Sequence, residues 1–289
     1  MPPQICLITG ATDGIGKVTA MELAKKCFIV ILVARNSDKA EAVKREMLTS
    51  IPNAIVDYII ADLASLDQIR RLVTVFRQRY DHLDVLINNA GIVMPERVLT
   101  QDGYESAFQV NYLSQFFLTM LLLDELKKSK QGRVINLGSD IFTKGKFLPD
   151  DLQGENRFSP IMAYANSKLL VFLFTIELAE RIQAAGVTAN IVQPGIVRTQ
   201  MMFRATGLLK VITLLAYPFS VSPEKGAATS VYLATSADLA TVSGKYFKNS
   251  KMAKADSKFN TPENRQLLWK LSMDSLTQSI RPATGDQRV

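Results

Sequence analysis

The sequence predicts an α/β fold: a doubly wound parallel sheet with helices on both faces, in a single domain spanning residues 1–280. Three observations predict it. Short apolar runs of β character alternate with helical stretches along most of the chain, the pattern of a parallel sheet covered on both sides. The first of these runs ends in a glycine-rich turn that opens a helix. No linker, repeat or low-complexity block divides the 289 residues, and 47% of them are hydrophobic, enough to bury a full core.

The elements follow in order. Residues 5 to 10 (Ile-Cys-Leu-Ile-Thr-Gly) read as the first strand and residues 18 to 26 as the first helix. Between them lie Ala11, Thr12, Asp13, Gly14, Ile15 and Gly16. Free backbone N–H groups and the helix dipole make such a junction an anion site. The spacing Gly10-x-x-x-Gly14-x-Gly16 departs from the usual Gly-x-Gly-x-x-Gly fingerprint. Three glycines between a buried strand and a helix nevertheless favour a phosphate cradle over a bare tight turn. Phe28–Ala34 reads as the second strand, followed by Arg35 and Asn36, with Ser37 and Asp38 as the cap of the next helix. Ile55–Ala61 is the third strand, followed by Asp62 and Leu63 and a helix over 65–80. Leu83–Asn88 is the fourth, followed by Asn89, Ala90 and Gly91 and a helix over 104–128 that contains Asn111. Arg133–Ser139 is the fifth and Val187–Gln193 the sixth, the latter followed by Pro194 and Gly195. Ser159 as cap and Pro160 at the first helical position start a helix over 160–182. A last helix is read over 223–236. Residues 281–289 are polar, contain Pro and Gly, and are expected to fray.

Chemistry enters with Tyr164-Ala-Asn-Ser-Lys168. A phenol and an ammonium four residues apart share a helix face. A cation beside a phenol lowers its pKa from about 10, which yields a proton donor and acceptor without histidine. Many solvated helices carry such a pair, so it needs company to mean catalysis.

Composition narrows the field. His82 is the only histidine, and Cys6 and Cys27 are the only cysteines. That excludes a zinc site, a disulfide framework and a Ser-His-Asp hydrolase. Both cysteines lie in or beside apolar strands and are expected to behave as small hydrophobes. The net charge is +7, but its lysines and arginines are dispersed, without a basic stripe interleaved with aromatics, so no nucleic acid is expected. No basic-then-apolar segment precedes the first strand, which predicts a cytoplasmic protein.

The ordered set Thr9-Gly10-x-x-x-Gly14-x-Gly16, Asn88-Asn89-Ala90-Gly91, Asn111, Ser139, Tyr164-x-x-x-Lys168 and Pro194-Gly195 resembles the short-chain dehydrogenase/reductase family. Asp151-Leu-Gln-Gly-Glu155, Val231-Tyr-Leu-Ala-Thr-Ser, Ser243-Gly-Lys-Tyr-Phe247 and Leu268-Trp-Lys-Leu-Ser272 resemble its retinol dehydrogenase branch. The resemblance implies a Rossmann fold from about residue 4 to about 276. It implies Ser139, Tyr164 and Lys168 as catalytic residues, with Asn111 holding a water beside Lys168. Asp62 and Leu63 would meet the adenine, and Asn89, Ala90 and Gly91 would hold the sheet near the nicotinamide. Ile196 to Thr199 would cover the carboxamide, with Ile196 and Val197 contacting it through their backbone. Gly138 departs from the branch, which has a second Ser there. That branch often carries an N-terminal membrane anchor, and none is read here.

The second strand ends without the acid that binds the ribose 2′-hydroxyl of NAD. Arg35 stands there instead and can pair a 2′-phosphate, with Lys17 adding charge, so NADP(H) is the expected cofactor. Phe142, Phe147, Phe158 and Met162 fall in the long step from Ser139 to Tyr164, where they either wall a substrate or pack the insertion. An apolar lid is read over about 196–222, with Met201, Met202 and Phe203 suited to a bulky ligand. Its run Leu208–Phe219 is too short to span a bilayer. It would touch a membrane surface or form a buried lid or subunit interface. The function expected is transfer of hydride between NADP(H) and a lipophilic alcohol or carbonyl. The alternatives are a protochlorophyllide-reductase-like enzyme and a non-catalytic NADP-binding sensor or scaffold. A monomer or a homodimer is expected; helices 104–128 and 160–182 are those such proteins often use for dimers.

Overall fold

The computed structural model describes residues 3–198 and 220–278. Its strands are β1 (Ile5–Thr9), β2 (Ile29–Ala34), β3 (Ile55–Ile60), β4 (Val85–Asn88), β5 (Arg133–Leu137), β6 (Thr188–Gln193), β7 (Tyr246–Lys248) and β8 (Lys251–Ala253). They form one sheet in the order β3-β2-β1-β4-β5-β6-β7-β8. Every neighbouring pair is parallel except β7 and β8, which are antiparallel. The order reverses between β1 and β4, and the carboxyl edge at that switch point is where open α/β sheets hold ligands.

Strand alternation splits the core in two. In β1, Ile5 and Leu7 face one layer, with α3 (Leu66–Arg79), α5 (Ser114–Leu121) and α7 (Pro160–Arg181). Cys6 and Ile8 face the other, with α1 (Gly14–Lys25), α2 (Ser37–Ser50) and α8 (Pro223–Thr235). The successive residues of a strand point to opposite faces, so a strand buried on both sides reads as a continuous apolar run. Among the described helices only α7 is long and apolar enough to cross a membrane, and it is a core helix, buried from Leu169 to Thr175.

The structure corrects the local reading in five places. The predicted helix over 104–128 is broken into α4 (Ser106–Phe108), a π-helical turn over Gln109–Leu113, α5 and α6 (Leu123–Lys128). The Ser114 hydroxyl donates to the carbonyls of Gln109 (2.7 Å) and Val110 (2.9 Å), filling the widened turn. Such π turns cluster at functional sites, and Asn111 sits inside this one. Asn36, not Ser37 or Asp38, caps α2, its Oδ1 accepting from Lys39 N at 2.8 Å. Ser159 precedes α7 as expected, but its side chain makes no capping bond. Cys27 is exposed at φ 64° in the turn after α1, so only Cys6 behaves as a buried hydrophobe.

The fifth correction is α9 (Pro262–Gln278), a helix not read from the sequence. Trp269 packs on Phe116 and Phe174, with ring centroids at 5.2 and 6.2 Å, and the Arg181 guanidinium lies 4.4 Å over its ring. Arg265 pairs with Glu180 (2.8 Å) and Glu177 (3.4 Å), and the Tyr112 and Ser272 hydroxyls meet at 2.5 Å. Part of the helical face expected to serve a dimer is therefore covered by the same chain.

A polar ladder crosses the core at the carboxyl ends of β4 and β5. Asn88 Nδ2 donates to Asn136 Oδ1 (2.8 Å) and Thr119 Oγ1 (3.0 Å), and Asn136 Nδ2 donates to Thr175 Oγ1 (2.9 Å). All four residues are fully buried, and truncating one member strands the others without solvent. Asn136→Ala is expected to cost about 1–3 kcal/mol in urea unfolding; an unchanged midpoint would show that the ladder carries no stability.

Candidate functional site

The site is built where β1 and β4 part. Thr9 ends β1, and its Oγ1 accepts from Asn89 N (2.9 Å) and Ala90 N (3.0 Å). The Asn89 side chain reaches back, donating from Nδ2 to the carbonyls of Thr9 (2.8 Å) and Gly10 (3.2 Å). The first βα turn and the loop after β4 are thereby joined. Gly10 (φ +65°) and Gly14 (φ +51°) hold left-handed conformations, and a Cβ at Gly16 would overlap the Gly10 carbonyl and the Asn89 amide. Asp13 caps α1 by accepting from Gly14 N at 2.7 Å. Helix geometry leaves the N–H groups of Ile15 and Gly16 without intrahelical acceptors, beside a half-buried Thr12. The turn fits a dinucleotide's phosphates, because no side chain intrudes and open amides remain at a helix N-terminus.

The predicted adenine side is only partly assembled. Arg35 is exposed at the end of β2 and has no ion-pair partner among the described residues. Asn36 stands beside it, its Oδ1 committed to the α2 cap. Lys17, expected to add charge, is instead paired with Glu46 at 2.7 Å, so its charge is already answered. Asp62 accepts from Ala64 N at 2.9 Å, and Leu63 is buried.

The predicted catalytic residues do converge. Asn111 is fully buried, its Oδ1 accepting from Ile92 N (2.7 Å) and its Nδ2 donating to Ile92 O (2.9 Å) and Ser167 Oγ (3.0 Å). Lys168 is 4% exposed and donates to the Leu137 carbonyl at 2.7 Å. Gly91 lies between them: a Cβ there would sit 3.4 Å from Asn111 Oδ1 and 3.8 Å from Lys168 Nζ. Ser139 neighbours Tyr164, and Lys168 Nζ lies 5.7 Å from the Tyr164 ring centroid. Ser139 also caps the 3-10 turn Asp140–Lys144. Gly138 has a local cause, since a Cβ there would come within 2.7 Å of Ile191 Cγ2.

The electrostatics differ from the sequence expectation. Burial pushes the Tyr164 phenol up to about 12, with the Ser139 side chain opposing only in part. Burial pulls the Lys168 ammonium down to about 8. Desolvation dominates, and Lys168, whose ammonium donates to the Leu137 carbonyl, does not lower Tyr164 as expected. The protein alone holds Tyr164 protonated.

Two of the four candidate wall residues pack the fold instead. Phe142 stacks on Phe172 at 4.4 Å, and both Phe142 and Phe147 are buried in the core. Phe158 and Met162 border a crevice with Ser167 and Asn166. Pro194 is half-buried, Gly195 takes φ +88°, and Val197 is buried in a parallel bridge to Val221. Thr199, the lid residues Met201, Met202 and Phe203, and the run Leu208–Phe219 lie outside the described residues. The sequence reading assigned no role to the Thr9 side chain; its only signal was a hydroxyl at the end of an apolar strand.

Lys168 makes stability pH-dependent. Its pKa falls from 10.5 to about 8 on folding, so between those values the unfolded chain binds more protons and stability rises with pH. Below about 8 the whole cost, up to about 3 kcal/mol, is in force. Lys168→Met is therefore expected to gain stability relative to the parent at pH 7 and to lose that advantage toward pH 10, read by urea unfolding. Loss of the bond to Leu137 adds a constant offset, so the trend is the readout; a pH-independent difference would show that the ammonium is not buried.

Comparison with known proteins fits this geometry. The short chain dehydrogenase family model matches residues 4–206. Retinol dehydrogenase 12 of Mus musculus is 40% identical over 276 residues, covering 96% of this chain and 87% of the relative. Polyprenol dehydrogenase of Homo sapiens is 39% identical over 282 residues, covering 94% and 85%. Among solved structures, an uncharacterized protein from Mycobacterium paratuberculosis superposes with a TM-score of 0.75 at 31% identity, covering 95% of this chain and 93% of that one. The Pseudomonas aeruginosa RhlG/NADP active-site complex superposes with a TM-score of 0.69 at 25% identity, covering 84% and 93%. A glycine turn open to phosphates, a buried Asn–Lys pair and a Tyr–Ser pair on this sheet edge thus agree with sequence likeness over nearly the whole chain: it belongs to the short-chain dehydrogenase family of oxidoreductases, close to the retinol dehydrogenases.

Proposed function

We propose that this oxidoreductase is NADP(H)-dependent and acts on a lipophilic alcohol or carbonyl. The observation that carries the reading is the convergence of Tyr164, Ser139, Lys168 and Asn111 at one end of the sheet. When bound, the dinucleotide supplies or takes the hydride. Tyr164, held protonated by burial, gives its proton to the substrate oxygen. The Ser139 hydroxyl donates a hydrogen bond to the same oxygen as charge grows on it. Lys168 and Asn111 hold the path by which Tyr164 recovers a proton. A protonated Tyr164 suits carbonyl reduction.

Support for NADP(H) is the exposed Arg35 at the end of β2, where no acid stands to meet a ribose hydroxyl. Its planar fork matches a 2′-phosphate. Support for a lipophilic substrate comes from relatives named for retinol and polyprenol and from the apolar residues Leu208–Phe219.

Tyr164→Phe is expected to lower turnover by about 10²–10⁴-fold while leaving dinucleotide affinity intact. More than half the parent rate would remove Tyr164 from the mechanism. Arg35→Asp is expected to weaken NADPH binding and spare NADH in fluorescence titration, and an unchanged preference would refute the NADP(H) assignment. A screen with NADPH of retinal, long-chain aldehydes, steroid ketones and small polar ketones tests the substrate class. Faster reduction of the small polar ketones would overturn it.

A further inference from the structure

Asp140 follows Ser139 at the carboxyl edge of the sheet, and its carboxylate gathers three donors. Tyr246 OH donates to Oδ1 at 2.7 Å, while Gln193 Nε2 (2.9 Å) and Lys248 Nζ (2.8 Å) donate to Oδ2. Burial alone would raise the Asp140 pKa, but these hydrogen bonds outweigh it and hold the carboxyl below its ordinary value. Tyr246 is buried, whereas Asp140 and Lys248 are about half exposed.

Gln193 ends β6 and is buried, with both ends of its amide in use. Nε2 donates to Asp140, and Oε1 accepts from Gly195 N at 2.7 Å. Gly195 is the left-handed residue of the Pro194–Val197 loop. Beyond it, Val221 N donates to the Ile196 carbonyl (2.8 Å) and Arg198 N to the Val221 carbonyl (3.1 Å). The same loop therefore brings together the two flanks of residues 199–219.

We propose that Asp140 and Gln193 form a directional tie, from carboxylate through amide to the Gly195 N–H, that fixes the Pro194–Val197 loop against Ser139 and so sets dinucleotide affinity. Both are positioning residues, and the inference rests on the dinucleotide site proposed above. Direction follows from donor chemistry. Asp140 can only accept and Gly195 N can only donate, so the group between them must donate at one end and accept at the other. An amide meets that demand in one orientation. In Asp140→Asn, the new amide can keep its oxygen toward Gln193 and Lys248 by turning its NH₂ to the Tyr246 hydroxyl, which can accept, so this exchange alone leaves the tie closed. In Gln193→Glu, the new carboxylate still accepts from Gly195 but repels Asp140.

The double exchange Asp140→Asn with Gln193→Glu restores the pattern. The introduced amide then donates to the introduced carboxylate, which still accepts from Gly195, and one carboxylate remains in the cluster for Lys248. The test is titration of NADPH and of NADH into the parent, the two single variants and the double variant, with Tm measured for all four. Gln193→Glu alone is expected to bind the preferred dinucleotide at least fivefold more weakly, and Asp140→Asn alone and the double variant to lie within twofold of the parent. A Gln193→Glu variant within twofold of the parent would overturn the tie, as would a double variant no tighter than Gln193→Glu. Affinities that simply follow Tm would reduce it to scaffold stability and overturn it as well. Binding is read without substrate, so failure of the proposed carbonyl chemistry would leave this pattern intact and remain distinguishable from failure of the tie.

Discussion

The hydrogen bonds between Asn89 and the end of β1 are the constraint on which the rest of the site depends. Asn89 Nδ2 meets the carbonyls of Thr9 and Gly10, and Thr9 Oγ1 returns the contact to the amides of Asn89 and Ala90. These bonds close the gap where β1 and β4 diverge, which an open parallel sheet otherwise leaves as a crevice. Gly16 must lack a side chain because the carbonyl of Gly10 and the amide of Asn89 fill its space. Two residues past Asn89, Gly91 lies against both Asn111 and Lys168. One short hydrogen-bonded join therefore registers the glycine turn with the residues proposed for proton transfer.

The site is assembled at a cost in stability. Lys168 places an ammonium under nearly complete burial, with the Leu137 carbonyl as its hydrogen-bond acceptor. Asn111 interrupts an α-helical ladder with a π turn, held by the Ser114 hydroxyl and by two bonds to Ile92. Both are departures that a purely structural chain would gain by removing. Both lie in the layer packed by α5, α7 and α9. Phe116 and Phe174 sit in the same layer as α5 and α7, and α9 adds Trp269 and the Arg265–Glu177–Glu180 pairs on the outside. Rigid packing behind a desolvated site keeps its groups in one geometry.

The sequence by itself determined the sheet and most of the residues that meet at the candidate site. Strands buried on both faces leave continuous apolar runs, so β1 to β6 were legible to within about two residues at each end. Gly10, Gly14 and Gly16 announced a turn open to phosphates, because only glycine enters such conformations cheaply. The spacing of Tyr164 and Lys168 put them on one helix face. What only tertiary structure decided were quantities that depend on neighbours distant in sequence. The direction of the Lys168 and Tyr164 shifts came from burial, which no spacing encodes. The pairing of Lys17 with Glu46 and the capture of Phe142 by Phe172 removed residues the sequence left available. The helix α9 escaped notice because its helical signal is weak until Trp269, Arg265 and Ser272 meet α5, α7 and Tyr112. Local propensity fixes which segments can be strands or helices; desolvation and partner choice are settled only when the layers close.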